Sequence, residues 1–93
     1  AMKTKPCALI TGGAKRIGAF LAQQLVAQGY DIVLHYRSSA TEAKALAQTL
    51  EASGATVTLR QADLEDAGAV HALWQGLPPV SLLINNASYY ARD

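Results

Sequence analysis

The stretch TGGAKRIG, Thr11 to Gly18, follows directly on the apolar run CALI, Cys7 to Ile10. A buried strand that ends in a glycine turn and opens into a helix brings backbone N–H groups close to a pyrophosphate. Gly12 and Gly13 permit the tight turn after the strand, and Gly18 lets the following helix lie close to the sheet. The middle glycine of such a loop is replaced by Arg16. The motif is therefore incomplete, and a tight strand-to-helix turn without a ligand would read the same way. The rest of the chain decides between the two.

Outward from the loop, short apolar runs alternate with helical patterns. CALIT (Cys7 to Thr11) reads as a buried strand. Ile17, Phe20, Leu21 and Leu25 then form one stripe of a helix that Gly29 ends as a C′ glycine. DIVLH (Asp31 to His35) is a second strand. Ala43, Leu46, Ala47 and Leu50 mark a second helix, with Ser39 and Glu42 spaced as a capping box and Gly54 at its end. TVTLRQ (Thr56 to Gln61) is a third strand. Asp66 is placed to cap a third helix whose buried face would carry Val70, Leu73, Trp74 and Leu77, and VSLLIN (Val80 to Asn85) is the fourth strand. Strand–helix alternation with near-continuous apolar strands implies a parallel sheet covered by helices on both faces. Right-handed crossovers then favour a Rossmann-type doubly wound α/β fold with strand order 3-2-1-4 and three helices. Ligand groups would gather at the carboxyl ends of the strands, where Thr11, Tyr36, Asp63 and Asn86 stand.

The bulk numbers exclude several classes. Of 93 residues, 51% are hydrophobic and 16% charged, which is a globular composition with room for one domain. A net charge of +1 gives no footprint for nucleic acid or an anionic membrane. Cys7 is the only cysteine, so neither an internal disulfide nor a cysteine zinc site is available, and it reads as a small core residue. No segment approaches the roughly 20 apolar residues of a membrane span. No signal-peptide pattern follows the two early lysines, and the expected location is cytoplasmic.

The second strand bears on which nucleotide the loop would hold. An NAD site places an acid about 20 residues past the loop, on the ribose hydroxyls. Here the strand ends HYRSS, His35 to Ser39, without an acid. Arg37 can pair with a phosphate or stack on adenine, and Ser38 and Ser39 offer hydroxyls. A carboxylate would repel the 2′-phosphate of NADP; this cluster would attract it. Ser39 could equally serve only as a helix cap. Asp63 in ADL could accept from an adenine amino group or close a turn into the next helix. NNAS, Asn85 to Ser88, could hydrogen-bond near a ligand or simply form a turn.

Together, TGGAKRIG, ADL and NNAS resemble the short-chain dehydrogenase/reductase family, whose loop reads TGxxxGxG and whose fourth-strand motif reads NNAG. Arginine for the middle glycine, serine for the last residue of NNAG, and the stretch LHYRSSATEA are similar to the pteridine reductase branch. The resemblance implies NADPH as cofactor. Gly12, Arg16, Ile17 and Gly18 would surround the pyrophosphate, and Tyr36, Arg37, Ser38 and Ser39 would hold the 2′-phosphate. Asp63 and Leu64 would flank the adenine, while Asn86, Ala87 and Ser88 would line the cofactor. Arg16, Ser88 and Tyr90 would meet the substrate, a pterin or another small carbonyl or imine compound. A solvent-exposed helix-start arginine and an exposed loop tyrosine are the plain alternatives for Arg16 and Tyr90.

The family's Tyr-x-x-x-Lys pair is absent: none of Tyr30, Tyr36, Tyr89 and Tyr90 has a lysine four residues on. No catalytic residue and no metal ligand is assigned in this chain. Residues 1–93 are thus expected to be the N-terminal, cofactor-binding part of a single Rossmann domain in a longer, homo-oligomeric reductase, inactive alone. A 3-oxoacyl or other carbonyl reductase of the same family, or a non-catalytic nucleotide-binding module, are the other readings.

Overall fold

The computed structural model describes residues 5–14 and 16–86. The element order is β1 (Cys7–Thr11), α1 (Arg16–Ala27), β2 (Asp31–Tyr36), α2 (Ala40–Ala52), β3 (Val57–Gln61), α3 (Ala67–Leu73) and β4 (Leu82–Asn85). All four strands are parallel, in the order β3-β2-β1-β4. This is the doubly wound arrangement that the strand–helix alternation predicts. Strand boundaries differ from the sequence reading by a residue or two. β2 runs on to Tyr36, β3 begins at Val57, and β4 begins at Leu82, after Ser81 has bonded to the Cys7 carbonyl through its N–H (2.9 Å).

The two faces of the sheet bury different side chains, as strand pleating requires. Ala8, Ile10, Ile32 and Leu34 point to one face and pack with Ala22 and Leu25 of α1 and Ala43, Leu46 and Leu50 of α2. Cys7, Leu9 and Val33 point to the other, where Ala62 and Leu73 complete a smaller cluster. Burial pushes the Cys7 thiol pKa up, and the Asp31 carboxylate adds to the effect, against a backbone hydrogen bond at Val33. Both long helices end as expected. The N–H of Gly29 bonds to the Val26 carbonyl and that of Tyr30 to Leu25; Gly54 and Ala55 repeat the pattern on Glu51 and Leu50. With Gly29 at φ 98° and Gly54 at φ 99°, these are Schellman caps.

Three local expectations are corrected. In α1 the buried residues are Gly18, Ala22 and Leu25, while Ile17 is 66% and Phe20 60% exposed. The glycine decides the rotation. A Cβ at Gly18 would stand 2.6 Å from Gly13 Cα and 2.8 Å from the Gly12 oxygen, so the helix touches the loop backbone on that side. Ile17 and Phe20 of the predicted stripe are turned outward as a result, whereas Leu21 is half-buried and Leu25 is buried as expected. In α3, Asp66 caps as predicted, accepting from Gly68 and Ala69 N–H. The helix nevertheless stops at Leu73, its one buried residue; Val70 is half-buried, Trp74 is 43% exposed and Leu77 lies beyond it. Three-residue bonds from Trp74 to His71 and from Gln75 to Ala72 tighten the end before Gly76 turns at φ 71°. The capping box of α2 does not form: Ser39 is the N-cap residue, but its side chain makes no cap hydrogen bond.

Candidate functional site

Every strand of a parallel sheet ends at the same edge, and the register sets Thr11 beside Asn85 and Tyr36 beside Gln61. Four segments meet there: the glycine loop, the end of β2, the turn after β3 and the end of β4.

Gly12 is held from both sides. Its N–H donates to His35 Nδ1 at 2.9 Å, and its carbonyl accepts from Asn86 Nδ2 at 3.1 Å. Its φ of 60° is the left-handed conformation that glycine adopts without strain. Gly13 has a different reason to be glycine. Its N–H donates to the His35 carbonyl at 3.0 Å, and a Cβ would come within 2.5 Å of Leu34 Cδ1. The Gly18 Cβ position is closed by Asn86 Nδ2 as well, at 2.9 Å. The three glycines thus press β1, α1 and the end of β4 together.

Arg16 opens α1 with φ 53°, the one positive φ outside glycine among the described residues. That conformation is one glycine adopts without strain, and the Arg16 side chain is exposed. No acidic residue stands in the first turn of α1. The positive end of the helix dipole is therefore reinforced by an arginine and left uncompensated by the helix's own side chains.

At the end of β2, Arg37 and Ser38 are exposed, whereas Ser39 is 5% exposed and lies beneath them. The Arg37 carbonyl accepts from Gln61 Nε2 at 2.8 Å, which ties this loop to β3. Tyr36 packs on the α1–α2 side of the core, and its carbonyl accepts from the Ala62 N–H at 3.1 Å. After β3, Asp63 closes a turn: Oδ1 accepts from the Glu65 N–H at 3.0 Å and its carbonyl from the Asp66 N–H at 3.0 Å. Leu64 beside it is 36% exposed. At β4, the Thr11 hydroxyl donates to Asn85 Oδ1 at 2.9 Å. Ala87, Ser88 and Tyr90 lie outside the described residues. An open groove of about 500 Å³, lined by Pro6, Cys7, Asp31 and Pro79 among others, sits at the opposite edge of the sheet and touches none of these segments.

The site passes a simple test of fit for a phosphorylated dinucleotide. The loop backbone is bare of side chains where Cβ atoms would collide, a helix start points at it, and a cation and a hydroxyl stand exposed at the end of β2 with no acid among HYRSS. Sequence reading missed His35 and Gln61, which hold the loops through backbone groups. His35 carried a signal: a polar residue inside an apolar strand must find partners when buried.

Comparison with known proteins agrees with this geometry. The family model for short chain dehydrogenases matches residues 6–93. Pteridine reductase 1 of Leishmania tarentolae is 45% identical over 82 residues, covering 85% of this chain and 28% of its own length. The 3-oxoacyl-acyl-carrier-protein reductase FabG of Staphylococcus aureus is 32% identical over 90 residues, covering 92% of this chain and 37% of its own. Among solved structures, FolM alternative dihydrofolate reductase 1 of Brucella suis in complex with NADP superposes with a TM-score of 0.80 at 36% identity, over 95% of this chain and 38% of that one. The chain therefore spans about a third of the length of the relatives it matches.

Proposed function

The chain belongs to the short-chain dehydrogenase family, and from that premise we propose that it is the cofactor-holding part of an NADPH-dependent reductase acting on a pterin. Residues 1–93 form, on this reading, one portion of a single Rossmann domain. When bound, the cofactor supplies a hydride from its nicotinamide ring. Ile17 and Gly18 with Arg16 bind the pyrophosphate, and Gly12, whose N–H and carbonyl are both engaged, shapes the turn beside it. Arg37 and Ser38 take the 2′-phosphate directly, Tyr36 and the buried Ser39 support that loop from below, and Asp63 and Leu64 flank the adenine. One oxygen of Asp63 is used by its turn, so the same carboxylate serves both roles considered for it. Asn86 acts through the Gly12 carbonyl. Ala87, Ser88 and Tyr90 complete the cofactor and substrate side. The protein works on a small molecule as a homo-oligomer. No described helix is long and apolar enough to cross a membrane.

The observation that carries the substrate class is Arg16 at φ 53°. A left-handed arginine costs about 1–2 kcal/mol that glycine would not. Strain of this kind collects where the side chain has a task. An arginine at the loop mouth can reach a phosphate and a planar, hydrogen-bonding heterocycle together. Two of the relatives above are named for reduction of a pteridine and of dihydrofolate. The test is turnover by the full-length protein with NADPH of a dihydropterin against a 3-oxoacyl thioester. Faster turnover of the thioester would replace this reading by the acyl one, and failure to bind NADPH would remove both.

A further inference from the structure

His35 is 1% exposed and lies in β2, a strand otherwise given over to core packing. Nothing in the cofactor reading uses it. Its ring lies between two backbone groups. Nδ1 faces the N–H of Gly12 at 2.9 Å, and Nε2 faces the carbonyl of Ala62 at 2.8 Å. An N–H can only donate and a carbonyl can only accept. Nδ1 must therefore present its lone pair and Nε2 must carry the proton. One neutral tautomer satisfies both bonds. The His35 carbonyl takes the next loop donor, the Gly13 N–H, at 3.0 Å.

We infer that His35 is a positioning residue for the cofactor: as the neutral Nε2–H tautomer, it fixes Gly12 in its left-handed turn and sets the distance between the phosphate loop and the adenine-side turn that begins at Ala62. The argument rests on the cofactor reading above. Gly12 directs its N–H inward to this ring, so the later N–H groups of the loop and the start of α1 are the ones presented to phosphate. Ala62 immediately precedes Asp63, so one imidazole spans two of the cofactor's contact segments. A doubly protonated ring would place an N–H against the Gly12 N–H, and the clamp would open. Several charged and titratable groups on the flanking elements have partners of their own. Arg60 of β3 donates to the Gln75 carbonyl, and His71 of α3 meets the Gln75 amide. Asp63 and Asp66 accept from Glu65 and from Gly68 and Ala69. On β2 itself Asp31 accepts from Thr56 at the far end, and β1 carries Cys7 at that same end. None of these contacts reaches the ring.

Three substitutions separate the two bonds. His35→Asn keeps an acceptor at the Nδ1 position, His35→Gln keeps a donor at the Nε2 position, and His35→Leu keeps neither. In the full-length protein, NADP⁺ affinity measured by calorimetry should fall least in His35→Asn, which keeps the Gly12 bond and loses only the Ala62 one. It should fall by about tenfold or more in His35→Gln and His35→Leu, the loss of one buried hydrogen bond with its partner stranded. Equal affinities in all four proteins, or equal losses that track only melting temperature, overturn the proposal. A readout without cofactor keeps the two readings apart. Nitrogen-15 spectra should show the Nε2–H tautomer. Gly12 amide exchange should be slow in wild type and His35→Asn, and fast in the other two. A wild type that binds no NADP⁺ yet shows this exchange pattern retires the cofactor reading and leaves the clamp; uniform exchange retires the clamp.

Discussion

Arg16→Gly should stabilise the protein while weakening cofactor and substrate binding. Arg16 holds φ 53° with an exposed side chain, so nothing is lost from the core when that side chain is removed. Relief of a left-handed non-glycine residue is worth about 1–2 kcal/mol. Glycine's extra freedom in the unfolded chain returns about 0.4–1 kcal/mol of that. The net expectation is a gain of roughly 0.5–1 kcal/mol, or about 1–4 °C in Tm for a domain of 150–250 residues. Arg16→Ala is the control: it removes the same side chain but keeps the strained backbone, and so should gain nothing. Both variants should lose a charge-assisted contact with phosphate, about 1.5–3 kcal/mol or roughly 10- to 150-fold in the Kd of NADPH. Urea denaturation of the three proteins, with NADPH titrations alongside, measures both effects. An Arg16→Gly protein no more stable than Arg16→Ala would refute the strain argument. Unchanged NADPH affinity and pterin turnover in both variants would refute the role of the guanidinium.

Other expectations follow from individual contacts. Arg37→Ala should raise the Kd for NADPH by roughly 10- to 100-fold and leave that for NADH nearly unchanged; a wild type without preference between the two would contradict the 2′-phosphate assignment. Gly18→Ala should cost about 1–3 kcal/mol, because its methyl group meets Gly13 Cα, the Gly12 oxygen and Asn86 Nδ2 inside 3 Å; a Tm equal to wild type would mean the loop can retreat. Cys7, 4% exposed and with its thiol pKa raised by burial, should resist alkylation until the protein unfolds. Residues 1–93 expressed alone should self-associate, since among the described residues β4 pairs only with β1 and Leu83 is 52% exposed. Light scattering should show this, and Leu83→Lys should reduce it.

The sheet was legible because β1, β2 and β4 are mainly apolar, β3 alternates with β-branched residues, and each long helix ends in a glycine that could be recognised beforehand. Gly29 and Gly54 have the positive φ their positions suggested. The errors share a cause. A stripe of large apolar residues predicts a buried face only where side-chain volume decides the packing. In α1 a backbone contact at Gly18 decides it, and Ile17 and Phe20 are turned to the outside. In α3 the pattern from Val70 to Leu77 continued past the point where tightened hydrogen bonds and Gly76 stop the helix. Ser39 and Glu42 had the spacing of a capping box, but burial of Ser39 took its hydroxyl out of the cap. Of the candidate site, the exposed groups were readable from motif. The holders were only partly so: Asn85 and Asn86 stood in the NNAS motif, whereas His35 and Gln61 act on backbone groups brought near only by the parallel register.

That division explains how an incomplete glycine motif keeps the shape that the proposed cofactor loop needs. The shape of the loop does not depend on its own glycines alone. Gly12 is fixed by a ring from β2 and an amide from the end of β4, and Gly13 by the β2 backbone. These bonds hold the turn whatever stands at position 16. The loop can therefore carry a side chain at the one position where glycine would have been easiest, with a local cost near 1 kcal/mol spread over a scaffold anchored on two neighbouring strands. If that anchoring were absent, Arg16 would relax to a negative φ and the start of α1 would shift away from Gly13. Combining Arg16→Gly with His35→Leu tests this coupling. The stability gain from Arg16→Gly should shrink in the His35→Leu background, because an unclamped loop no longer imposes the strain. An undiminished gain would mean that the left-handed turn at Arg16 is set by its own neighbours in sequence, and that the clamp and the arginine are independent features.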